Sequence, residues 1–129
     1  MVADTSVWVE FLRATGSVPH LRLAAAVSDG ERIVVLDVVR LELLSGAASE
    51  ARASELRRFL ATFTAVPAAS PADHELAAEL YRAARRAGET VRSLLDCLVA
   101  AAALRLDLPV LARDRDFDVL AGVSPLRLV

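Results

Sequence analysis

The sequence predicts an α/β fold built on a mainly parallel sheet of four to five short strands with helices on both faces. Three observations lead there. Short β-branched apolar runs alternate with helical segments along the chain, the pattern of a parallel sheet joined by crossover helices. The run from Ile33 to Leu36 is apolar without alternation, as in a strand covered on both faces. Hydrophobic residues make up 55% of the chain and aromatics only 5%. The interior is therefore filled by Ala, Val and Leu, which suits helices packed closely on short strands. At 129 residues the chain has the length of one domain, 1–129, and such a domain buries roughly two thirds of its unfolded surface.

Taken in order, Val2 to Asp4 reads as a very short strand, and Thr5 or Ser6 caps a helix carrying Trp8, Val9, Phe11 and Leu12. Pro19 suits the first turn of a second helix, which Asp29 and Gly30 end. After the Ile33 to Leu36 strand, Val38 to Ser45 reads as a short helix stopped by Gly46. Ala48 to Phe63 reads as a longer helix with Leu56, Phe59, Leu60 and Phe63 on one face. Thr64 to Val66 is a third strand. Ser70, Pro71 and Asp73 start a helix to Arg86 that Gly88 stops, and another helix runs from about Arg92 to Leu106. Leu108 to Ala112, Asp116 to Leu120 and Leu126 to Val129 follow as strand, short helix and last strand.

The 15 basic residues are all Arg, which excludes mechanisms that depend on a catalytic or P-loop lysine. A formal net charge of −2 gives no global basic excess, so any attraction for a nucleic acid must be local. The lone cysteine, Cys97, sits in an apolar run that reads as buried helix and forms no internal disulfide, which fits a reducing cytoplasm. The segment MVADTSVWVEF has no basic region followed by a long apolar stretch, and no uncharged run is long enough to span a bilayer, so no membrane association is expected.

In parallel sheets, ligands bind beyond the carboxyl ends of the strands. Asp4 follows the first strand, Asp37 the second and Asp114 the fourth, while Glu42 is carried on the helix after the second strand among Val38, Val39, Leu41, Leu43 and Leu44. Asp96 sits mid-sequence in SLLDCLVAAAAL with apolar neighbours on both sides. Carboxylates against an apolar wall are costly unless hydrogen-bonded, protonated or bound to a cation. Hard oxygen ligands favour Mg²⁺ or Mn²⁺, and His20, His74 and Cys97 alone cannot make a zinc site. Each acid also has a plain structural reading. Asp4 can cap a helix, Ser93 and Asp96 can form a capping box, and Asp114 and Asp116 can serve as turn acid and helix cap.

The segments VADTSVWVEFL, VVRLELLSG, VRSLLDCLVAAAALR and VLARDRDFDVLA, in this order and spacing, resemble PIN-domain ribonucleases, and more narrowly the VapC toxins of bacterial toxin-antitoxin pairs. The resemblance runs through nearly the whole chain and implies a PIN-like three-layer fold. It places the family's acids on Asp4, Glu42, Asp96 and Asp114, with Asp116 as an accessory, together holding one or two Mg²⁺ or Mn²⁺ ions. Many relatives have Thr or Ser where this chain has Ala112, so a supporting hydroxyl is missing there.

The implied reaction is hydrolysis of an RNA phosphodiester by a metal-activated water. Asp4, Asp96 and Asp114 would be primary ligands, and Glu42 would complete the shell or orient the water. Arg82, Arg85 and Arg86 share a helix face, and Arg92, Arg113 and Arg115 lie close to the acids in sequence. Arg85, Arg86, Arg92 and Arg113 are the candidates for contacting RNA; the alternative is solvated arginines paired with Glu79, Glu89 or Asp118. Trp8, Phe11 and Tyr81 read as core or interface, and His20 and His74 as surface residues. The resemblance further implies a homodimer and an antitoxin partner whose C-terminal segment occludes the acidic pocket, with structured RNA such as tRNA or ribosomal RNA as substrate. Competing expectations are a different metal-dependent phosphodiesterase or DNA nuclease, and a non-catalytic partner-binding protein whose acids cap helices.

Overall fold

A computed structural model describes residues 1–68 and 70–129. Four strands, β1 (Val2–Ala3), β2 (Val34–Leu36), β3 (Thr64–Val66) and β4 (Val110–Leu111), form one sheet in the order β3-β2-β1-β4, and every pairing is parallel. The chain leaves β1 toward β2 and β3 and then returns to place β4 on the other side of β1. The strand order thus reverses between β1 and β4, and such sheets bind ligands beyond the carboxyl ends at that place.

Seven helices flank this sheet among the described residues: α1 (Thr5–Leu12), α2 (Val18–Ser28), α3 (Asp37–Ser45), α4 (Glu50–Leu60), α5 (Pro71–Arg86), α6 (Leu94–Arg105) and α7 (Arg115–Gly122). They pack as two sets. In one, α1 contacts α2 and α3, and α3 contacts α4; in the other, α5, α6 and α7 contact one another. Helix α6 is the hub, with Cys97 to Ala103 all buried. Its run of alanines lets neighbouring backbones approach closely, and a helix buried on every side needs no polar stripe. No helix of the described residues is long and apolar enough to cross a membrane.

Boundaries differ from the sequence reading where a cap or a missing contact decides them. Ser49 accepts a hydrogen bond from the Arg52 amide and so starts α4 at Glu50, and the chain has already turned after Leu60 to feed β3. Phe63 therefore leaves the helix, yet it still packs on Trp8. Ser93 caps α6, so Arg92 lies in the preceding loop. The expected last strand is reduced to one parallel bridge, Val110 to Leu128. Leu126 is buried, but Leu128 and Val129 are 38% and 51% exposed, so the core holds only the start of that segment and no longer ladder forms. Gly88, at φ +77°, does end α5 in the left-handed conformation expected of it, whereas Gly46 caps α3 with an ordinary right-handed backbone.

Trp8 anchors the α1–α4 side. It is fully buried, its ring meets Phe11, Phe59 and Phe63 edge-on at centroid distances of 6.0, 6.1 and 5.0 Å, and its indole N–H donates to the Ala3 carbonyl at 3.1 Å. Phe11 and Tyr81 pack partly buried against the core, as expected. His20 does not follow its expectation: it is half-buried, edge-on to Phe11, and its Nδ1 accepts from the Gly16 amide, while His74 is exposed. Trp8→Ala should cost about 4 kcal/mol, as large aromatic truncations in cores do. Urea unfolding measures it, and a loss below about 1 kcal/mol would mean the aromatic cluster does not anchor this side.

Candidate metal centre

Four elements deliver the five expected acids, with Asp114 and Asp116 sharing α7. Asp4 is the residue after β1 and the N-cap of α1; its Oδ2 accepts from the Ser6 amide at 3.0 Å and the Ser6 hydroxyl at 2.7 Å, and it is only 4% exposed. Glu42 lies half-buried on α3, where the Thr5 hydroxyl donates to its Oε2. Asp96 is the third residue of α6, Asp114 the N-cap of α7, and Asp116 the second residue of that helix. Oxygens of Asp96, Asp114 and Asp116 all lie within 4.8 Å of one another.

The carboxyl of Asp96 is pushed up to about 7, first by burial and then by the charges of Asp4, Asp116, Asp114 and Glu42. Its pKa thus registers all four other acids at once. Burial likewise raises Asp4, with a contribution from Asp114, against the lowering effect of its bonds to Ser6. Next to Asp96, burial and the carboxylates push the Cys97 thiol to about 11, so Cys97 is the inert interior residue its sequence context implied.

Two Ser-x-x-Asp motifs in this chain take different forms. At the start of α5 the box is complete: Ser70 accepts from the Asp73 amide and the Asp73 carboxylate accepts from the Ser70 amide. At the start of α6 only the first half exists, Asp96 N to Ser93 Oγ at 3.4 Å. Asp116 Oδ2 takes the Ser93 amide instead, at 3.1 Å, and the Arg92 amide at 2.8 Å. The Asp96 carboxylate is thereby left without a hydrogen-bond donor among the described residues. Asp37 behaves in the opposite way: its Oδ1 accepts from the Val38 and Ala68 amides, so this acid ties β3's exit loop to α3 and is absent from the acidic group.

Thr5 and Ser6, read from sequence only as possible helix caps, have a larger part. The cap is Asp4, and the two hydroxyls instead hold two of the acids. Ser6 Oγ also accepts from the Arg113 amide at 3.2 Å, tying the Asp4 turn to the loop leading into Asp114. The signal was present as two hydroxyl residues directly after an acid that ends a strand. Ala112 packs against the core and offers no hydroxyl, so Ser6 makes the polar contact to this loop.

The arginines divide. Arg92 reaches the acids themselves, Nη2 to Asp114 Oδ1 at 2.7 Å and Nε to Asp116 Oδ1 at 3.5 Å. Arg113 pairs with Glu10, and Arg115 with Glu89 at 3.1 Å. Arg85 and Arg86 are exposed in the last turn of α5 and form no ion pair among the described residues. Beside Thr5 and Glu42 opens a groove of about 530 Å³ between α1, α3 and α4, lined by apolar side chains such as Val9, Leu12 and Phe59 and by Arg13 and Arg52.

Comparison with known proteins identifies the family. Residues 1–123 match the PIN domain. Ribonuclease VapC11 of Mycobacterium tuberculosis is 41% identical over 128 residues, covering 98% of this chain and 96% of the relative. Among solved structures, VapBC2 from Rickettsia felis, bound to a DNA fragment from its promoter, superposes with a TM-score of 0.77 at 17% identity over 99% of this chain and 96% of that one. The toxin VapC20 of Mycobacterium tuberculosis, which cleaves the sarcin-ricin loop, gives 0.64 at 20% identity over 98% of each chain. The chain belongs to the PIN domain family, with VapC ribonucleases as its relatives.

A carboxyl whose folded pKa of about 7 exceeds its unfolded value of 3.8 binds more protons in the folded state. Stability then falls as pH rises through that window and stays low above it. Metal-free Asp96→Asn should therefore melt about 5 °C or more above the unsubstituted chain at pH 8, with the gap narrowing toward pH 4. Equal melting temperatures at both pH values would show that the carboxylates do not crowd one another.

Proposed function

We propose that this chain is a divalent-cation-dependent endoribonuclease and the toxin of a toxin-antitoxin pair, acting in the cytoplasm on structured RNA. The observation that carries the proposal is the Asp96 carboxylate, which has no donor among the described residues and feels the charges of four more acids, in a chain 41% identical to a curated VapC ribonuclease. The donor set is all carboxylate oxygen, which fits Mg²⁺ or Mn²⁺ and not a soft metal. Asp4, Asp96 and Asp114 would hold the ion, and Asp116 would contribute through Oδ1, because its Oδ2 is committed to two backbone amides. Such an ion lowers the pKa of a bound water and offsets charge on a phosphate.

The chain's own groups do the remainder. Glu42, fixed by Thr5, is placed to orient the attacking water and accept its proton. As the water oxygen bonds to phosphorus, a phosphorus–oxygen ester bond breaks and the departing oxygen takes up a proton. Arg85 and Arg86 at the end of α5, with Arg92 and Arg113 near the acids, are the groups to contact the backbone, which explains how a chain of net charge −2 could hold RNA. The groove starting at Thr5 and Glu42 suits an apolar segment of an antitoxin that would end over the acids. Val18 and Leu21, 81% and 57% exposed on α2, support a homodimer.

Purified, antitoxin-free protein should cleave a structured RNA in Mg²⁺ or Mn²⁺, lose that activity in EDTA, and leave a DNA hairpin of matched sequence intact. Asp96→Asn should reduce cleavage at least a hundredfold, on the order of a lost metal ligand. Cleavage that persists in EDTA or in the variant would refute the assignment, and cleavage of DNA alone would move the chain to a different nuclease class.

A further inference from the structure

We propose that the Arg92 guanidinium is a counter-ion built into the acidic hollow, occupying Asp114 until a divalent cation displaces it. This rests on the cation-binding reading above. The backbone of Arg92 is fixed, because its amide and that of Ser93 both donate to the buried Asp116 carboxylate. The side chain therefore starts beside the acids. It bridges Asp114 and Asp116, the two acids that lie within 4.8 Å of Asp96. Its side chain is nevertheless 70% exposed, so solvent and not packing surrounds most of it, and an exposed ion pair of this kind contributes little to stability. The arrangement is a tethered cation that keeps repelling carboxylates together and is cheap to move.

A divalent ion and the guanidinium would compete for the same carboxylate oxygens, and the displaced Arg92 would stay at the rim where a phosphate arrives. Isothermal titration with Mn²⁺ alone tests this without RNA. Removing one positive charge a few ångströms from the ion should tighten Mn²⁺ binding about tenfold in Arg92→Ala at low salt, less so at high salt. Arg92→Lys, which keeps the charge, should bind within about threefold of the parent chain. Arg92→Gln gives the same comparison should the alanine variant not fold. In the unsubstituted chain, saturation with Mg²⁺ should shift the Arg92 Nε–H resonance. Equal or weaker Mn²⁺ binding in the uncharged variants would overturn the proposal, because Arg92 would then be a bystander or a strut for Asp114. Absence of Mn²⁺ binding to the parent chain would instead refute the cation-binding reading itself.

Discussion

Five carboxylates cannot be gathered beside a buried wall at neutral pH without positive charge or hydrogen-bond donors to offset their repulsion. In this fold the donors are rationed. Ser6 serves Asp4, Thr5 serves Glu42, Arg92 serves Asp114, and two amides serve Asp116, while Asp96 has none among the described residues. The shortage falls on the acid that the other four surround. That shortage fits the cation-binding role proposed for the hollow, a site at which stability would be given up for binding.

The sheet sets up that crowding. Because all four strands are parallel, their carboxyl ends share one edge, and Asp4 lies where the strand order reverses beside β1, the place at which such sheets bind ligands. The Asp4 amide bonds the Leu111 carbonyl, so the exits of β1 and β4 are locked together. Helix α6, buried from Asp96 to Ala103, presents Asp96 in its first turn, and Asp116 clamps that turn to the start of α7. Few residues separate core packing from the site: Asp96 is followed directly by the buried Cys97.

Much of this could be read from the residues. The unbroken apolar run at 33–36 gave a two-sided strand, and the acids after strand ends gave the edge at which a ligand would bind. The resemblance to PIN-domain ribonucleases named Asp4, Glu42, Asp96, Asp114 and Asp116; oxygens of Asp96, Asp114 and Asp116 lie within 4.8 Å of one another, and the charges of Asp4 and Glu42 also act on Asp96. What sequence could not separate was equal motifs with unequal fates. Ser70 and Asp73 close a capping box, whereas Ser93 and Asp96 do not, and the difference comes from Asp116, twenty residues further along and in another element. Asp37 looked as well placed as Asp4, yet amides of its own helix and of β3's exit loop absorb its carboxylate. Such long-range competition for donors leaves no local mark. The last strand is reduced to one bridge because only Leu126 reaches the core, while Leu128 and Val129 stay exposed.

Side chains from β1's exit, α6 and the start of α7 are proposed to enclose one cation position. Crystals soaked in Mn²⁺ and measured for anomalous scattering test it directly. A strong peak is expected within coordination distance of Asp96 and Asp114, with Asp4 beside it. Ordered Mn²⁺ at other surfaces with no density in this hollow would contradict it.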